Sequence, residues 1–127
     1  MSKACFSEIV YSIYLATAGA VLAFIPNLLL PLVGLQMSNE AFIRLCGSLA
    51  LVLGAKAMFY ARLEIVSMYE ADVYARTFVG TLLLVPVLMK RAPPIFLILS
   101  AIDYGSALWT QIAIWSDRRM RAQAARV

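Results

Sequence analysis

The sequence predicts an all-α integral membrane protein: a four-helix bundle with both termini on the cytoplasmic side and a proline-broken segment between its first two helices. Three observations carry this prediction. Of 127 residues, 63% are apolar and only 14% charged, against roughly 45–50% and about 25% in a soluble domain. A water-soluble core for so many apolar side chains would need far more polar covering than 11 basic and 7 acidic residues supply. Four apolar runs reach the length of about 20 residues that crosses roughly 30 Å of hydrocarbon at 1.5 Å per residue. Finally, the basic residues divide unevenly between the two sides that four crossings define. The length allows one domain, 1–127.

The first run extends from about Ile9 to Ile25. Ala16-Thr17-Ala18 resembles a small-residue cleavage site, but cleavage there would follow only seven residues after Glu8, and the run continues to Ile25. The segment therefore reads as a span rather than a signal peptide. Pro26-Asn27 stops it, because proline disfavours helical geometry in the residue before it. Pro31 and Gly34 interrupt the following run, Leu28 to Leu35, which is too short to span and reads as a half-buried loop or short interfacial helix.

The second span runs from Ala41 to Tyr60, with Ser38 and Asn39 available to cap it. The third covers Val73 to Met89, and Pro86 near its end is expected to kink the axis rather than abolish the helix. Ala92-Pro93-Pro94 turns the chain into the fourth span, Pro94 to Trp115. Between the second and third spans, Ala61 to Asp72 gathers Arg62, Glu64, Glu70 and Asp72 with Tyr60, Tyr69 and Tyr74 nearby. Three carboxylates can in principle hold a hard cation, but a solvated connection edged by an aromatic belt accounts for the same residues.

With both termini inside, the cytoplasmic side holds Lys3, Lys56, Arg62, Arg76, Arg118, Arg119, Arg121 and Arg126, against Arg44, Lys90 and Arg91 outside. That asymmetry sets the orientation. The arginine-rich tail after Trp115 has no aromatic residue, so it reads as a topology determinant and anionic-lipid contact, with no nucleic-acid partner. Cys5 and Cys46 fall at opposite sides of the bilayer in this arrangement and cannot pair with each other. Because the chain has no histidine, imidazole ligation and the usual general base are absent; no cofactor and no metal are expected.

Polar groups inside the spans are the candidate site. Asp103 lies nine residues beyond Pro94, roughly 13 Å along the helix and close to the midplane. Ser100, Ser106 and Thr110 share its side of the fourth helix. An aspartate in that position must find a cation or keep its proton. The cations within the spans are Arg44, Lys56 and Arg76. Glu40 precedes Arg44 by four residues and Asp72 precedes Arg76 by four, an order that favours intrahelical pairs. Lys56 has no acid at that spacing and can reach the inner surface beside Arg62. Small residues mark helix packing: Gly47, Ala50 and Gly54 on the second helix, Ala16, Gly19, Ala20 and Ala23 on the first, Ala101 and Gly105 on the fourth.

The run Arg44-Leu-Cys-Gly-Ser-Leu-Ala-Leu-Val-Leu-Gly54, then Ala92-Pro-Pro, then Asp103-Tyr-Gly-Ser-Ala-Leu-Trp109-Thr, resembles the pattern of small bacterial four-helix membrane proteins with a DoxX-like outline. The resemblance covers about residues 10 to 115 and implies a protein of the bacterial inner membrane. Some DoxX-type proteins are thought to serve as membrane subunits of redox complexes, and this chain departs from any redox-active version in having no paired cysteine motif.

The resemblance supports the architecture and leaves the activity open; because the residues assemble no nucleophile, base and oxyanion donor and no cofactor cage, the expected function is a non-enzymatic accessory or assembly subunit, with membrane lipids and protein partners or further copies of itself around it. Two other functions use the same residues: a small ion- or proton-coupled transporter or channel built on Asp103, and a binder of lipid or another hydrophobic ligand on the Ser100, Asp103 and Thr110 face.

Overall fold

The computed structural model describes residues 1–32, 34, 36 and 39–127. Among these, the chain is helical: α1 (Lys3–Phe24), α2 (Pro26–Leu32), α3 (Glu40–Arg62), α4 (Val66–Leu88) and α5 (Ile95–Ala124). Helices α1, α3, α4 and α5 are each long and apolar enough to cross a membrane.

Their ends differ from those of the apolar runs, because capping chemistry rather than hydropathy sets where a helix stops. The first helix begins at Lys3 rather than Ile9, since Ser2 Oγ accepts the Cys5 N–H at 3.1 Å. Asn39 Oδ1 accepts the Phe42 N–H at 3.1 Å and starts α3; Ser38, the other capping candidate, lies outside the described residues. Helix α1 stops at Phe24 and leaves Ile25, the residue before the proline, outside a helix, as expected; Pro26 then opens α2 at its first position, where its missing N–H has no role.

The largest correction concerns Ala61 to Asp72. Only the three residues between Arg62 and Val66 connect α3 to α4, so Tyr69, Glu70 and Asp72 are helical and Tyr69 is fully buried. Glu64 takes a left-handed conformation (φ 50°) that lets its own N–H reach the Ala61 carbonyl and the Ile65 N–H reach Tyr60. This is the paired closure that ends many helices, usually with glycine at that position. Lys90 repeats it after α4: φ is 56°, with Lys90 N bonded to Val87 O and Arg91 N to Pro86 O, both at 2.9 Å. Helix α4 runs through Pro86 to Leu88. Helix α5 continues nine residues past Trp115 to Ala124, through a stretch rich in good helix formers.

The chain divides into two compact units. In the unit formed by residues 9–59, α1 and α3 run antiparallel with their backbones in contact. A Cβ added at Gly19 would collide with Ala50 and Leu51 backbone, one at Gly47 with Leu22 and Ala23, and one at Gly54 would lie 2.6 Å from Ala16 N. Gly47, Ala50 and Gly54 thus face Ala23, Gly19 and Ala16, the close approach by which helices associate in lipid.

In the other unit, residues 1–8 with 60–127, α4 and α5 form an antiparallel pair. Gly80 backbone lies under the Tyr104 ring, Ser100 Oγ donates to the Gly80 carbonyl at 2.7 Å, and Thr81 Oγ1 and Tyr104 Oη are 2.5 Å apart. Farther along the pair, Arg118 meets Glu70 at 2.6 Å. The opening turn of α1 joins this unit through Asp117, whose carboxylate accepts the Ala4 N–H at 3.0 Å and the Lys3 N–H at 3.4 Å. Cys5 Sγ and Tyr69 Oη both donate to the Ala61 carbonyl at 3.2 Å.

Candidate functional site

The most deeply buried charges lie in the unit of residues 1–8 and 60–127. Helix α4 carries Asp72 and Arg76 one turn apart, α1 brings Glu8 through its early start, and α5 contributes Thr110. Arg76 Nη2 meets Glu8 Oε2 at 2.7 Å, with both side chains only 2% exposed. The same guanidinium is paired with Asp72, whose side chain is 33% exposed. Its other arm, Nη1, donates to Thr110 Oγ1 at 3.1 Å. Ser7 Oγ stands within hydrogen-bond reach of Thr110 Oγ1 (3.1 Å) and the Ala4 carbonyl (2.8 Å).

Two carboxylates therefore share one guanidinium, and two hydroxyls extend the network along α5 and α1. Arginine suits this position because its planar fork offers several donors in fixed directions and keeps its charge when buried. Asp72 is partly exposed and Glu8 almost wholly enclosed, so the cluster runs from a half-buried acid to a fully enclosed one.

Thr110 and Arg76, both singled out by sequence, meet here. Ser100 and Asp103 are also buried, at 2% and 8% exposure, and with Thr110 they form one inward side of α5. Ser100 is occupied by the Gly80 carbonyl, and Ser106 donates to the backbone carbonyl of Asp103 at 3.0 Å. Arg44 belongs to the other unit. There Glu40 holds it at 2.7 Å, and its Nη1 donates to the Ala23 and Phe24 carbonyls at 2.9 and 3.3 Å, closing the free end of α1. Lys56 is exposed on α3.

Gly105 differs from the other small residues singled out for packing. Gly105 is exposed, and a Cβ there would meet open space, because it sits on the opposite side of α5 from Asp103 and Thr110. Sequence reasoning also missed Glu8, which it placed outside the first span. The available signal was Ser2, a capping residue three positions before Cys5, which moves the helix start forward and puts Glu8 in its second turn. Among the described residues there is no group of three or more acidic or cysteine side chains arranged to hold a metal ion. No family model, curated protein or solved structure matches the chain.

Proposed function

We propose that the chain is a multi-pass protein of the bacterial inner membrane, with both termini cytoplasmic, that acts without catalysis as an accessory or assembly subunit. The observation that carries this reading is the contrast between its outer and inner surfaces. Large apolar side chains are exposed along every long helix, among them Phe42 and Leu49 on α3, Phe78 and Leu82 on α4, and Ile98 and Ile112 on α5. The buried charges at Arg76, meanwhile, are engaged with one another. Hydrocarbon or partner helices are the surroundings that suit such faces.

Purification from native membrane in mild detergent tests the subunit role. Stable co-migration with another membrane protein, or self-association, is expected; a chain that migrates alone would overturn it. Reporter tags at the two termini are expected on the cytoplasmic face.

A second reading rests on Asp103, a buried acid on a polar side of α5. If it couples to a proton or cation, an Asp103→Asn variant reconstituted in liposomes loses flux that the parent chain supports. Equal flux in the two removes this reading.

A further inference from the structure

Helix α5 begins at Ile95, and Trp115 lies twenty residues further on, about the length that fills the hydrocarbon. Residues just beyond Trp115 would therefore lie at headgroup level once the helix spans. At this place the unit of residues 1–8 and 60–127 carries two adjoining cavities. One, of about 470 Å³, is lined by Lys3, Phe6, Trp109, Ile112 and Ser116 among others. The second, of about 250 Å³, shares Ile112 and Ser116 and adds Trp115 and Arg119.

The lining is graded. Phe6 and Trp109 pack edge to face, with ring centroids 6.1 Å apart and planes at 72°, and with Ile112 they form an apolar slot. At the other end stand Lys3, whose Nζ is 3.4 Å from Ser116 Oγ, and Arg119, both exposed. Of the acids beside the groove, Asp117 is engaged by the backbone N–H groups of Lys3 and Ala4, and Glu64 accepts the Ser2 N–H at 3.4 Å. Arg118 is held by Glu70, and Lys3 and Arg119 are the cationic side chains that line the groove.

We infer that this groove is a binding site for an anionic phospholipid. Its phosphate sits between Lys3, Ser116 and Arg119, and an acyl chain lies along Phe6, Trp109 and Ile112. Charge complementarity selects the occupant: two cations with a hydroxyl between them match a phosphodiester that carries a net negative charge, and the apolar slot beside them matches the chain attached to it. A zwitterionic lipid fits the slot equally but gains little from the cations. Tryptophan at both cavities suits this depth, where one part of the ring is wet and the rest apolar. Each basic side chain at an anionic surface raises affinity about fivefold.

The site rests on the membrane placement proposed above, and one experiment separates the two. Trp109 and Trp115 are the only tryptophans in the chain. The full chain is reconstituted into vesicles containing either phosphatidylglycerol or phosphatidylcholine brominated near the headgroup end of its acyl chains, at equal mole fraction in a phosphatidylcholine background, and tryptophan fluorescence is read.

Quenching by the brominated phosphatidylglycerol is expected to exceed that by brominated phosphatidylcholine. The excess is expected to vanish in a Lys3→Gln, Arg119→Gln double variant and to persist in Arg126→Gln. Equal quenching of the parent chain by both lipids overturns the site while leaving the membrane placement standing. An excess that survives the double variant also overturns it, because the preference would then come from the arginine-rich tail at large. Absence of quenching by either lipid overturns the placement and the site together.

Discussion

Glu8 and Arg76 stand 68 positions apart in the chain, yet their side chains meet at 2.7 Å with almost no exposure. This pair joins the second turn of α1 to the middle of α4. Removing one partner of a buried pair leaves the other charge enclosed without compensation.

Arg76→Ala is expected to destabilise the protein by about 3–5 kcal/mol. Arg44→Ala is expected to cost about 1 kcal/mol, because the Arg44 and Glu40 side chains are 43% and 54% exposed and such pairs contribute little. Unfolding followed by circular dichroism in detergent compares the two variants. Equal losses would show that enclosure of the Arg76 cluster has no energetic consequence.

The glycines offer a second contrast. Gly19→Ala places a methyl group into the backbone of α3, and separating the helices to admit it is expected to cost about 1–3 kcal/mol. Gly105→Ala meets open space and is expected to stabilise by about 0.5–1 kcal/mol, because alanine is the better helix former. Thermal midpoints measured in one detergent should move in opposite directions.

Lys90 holds a left-handed conformation that glycine adopts without strain. Lys90→Gly is expected to raise stability by up to about 1 kcal/mol, the relief of strain being partly offset by the freer unfolded chain. A loss of stability, read from the denaturation midpoint, would mean that the lysine side chain makes a contribution larger than the strain.

Thr81 and Tyr104 hydroxyls lie 2.5 Å apart across the α4–α5 pair. A double-mutant cycle built from Thr81→Val and Tyr104→Phe is expected to return a coupling of about 0.6 kcal/mol, the usual size for an interhelical hydrogen bond in a membrane protein. Additive single effects would remove this bond from the account of how the two helices are joined.

The four long helices were legible because a stretch of some twenty apolar residues has few other uses. The intrahelical pairs Glu40–Arg44 and Asp72–Arg76 could also be read, since four-residue spacing is a local property. Helix ends were harder. Hydropathy marks the part of a helix that suits hydrocarbon, whereas Ser2, Glu64 and Lys90 set the ends through caps and left-handed turns, and neither Glu64 nor Lys90 is a residue type that announces such a turn. Glu8 followed from that error: an acid assigned to the entry segment could not be matched with Arg76. Its distance along the chain made the pairing invisible to any local rule, while the exposed face occupied by Gly105 shows that small-residue spacing alone does not say which side of α5 is covered.

The separation of Glu8 from Arg76 also gives the molecule an assembly history. Synthesis proceeds at about 5–20 residues per second, so the acid emerges roughly 3–14 seconds before the base that neutralises it. Throughout that interval the Glu8 carboxyl group lacks its Arg76 partner and α4 is incomplete. The ribosome thus delivers a helix that is complete in length before the partner of its buried acid is made, and on the membrane placement proposed above its amino-terminal turns settle only when the third long helix arrives to receive them.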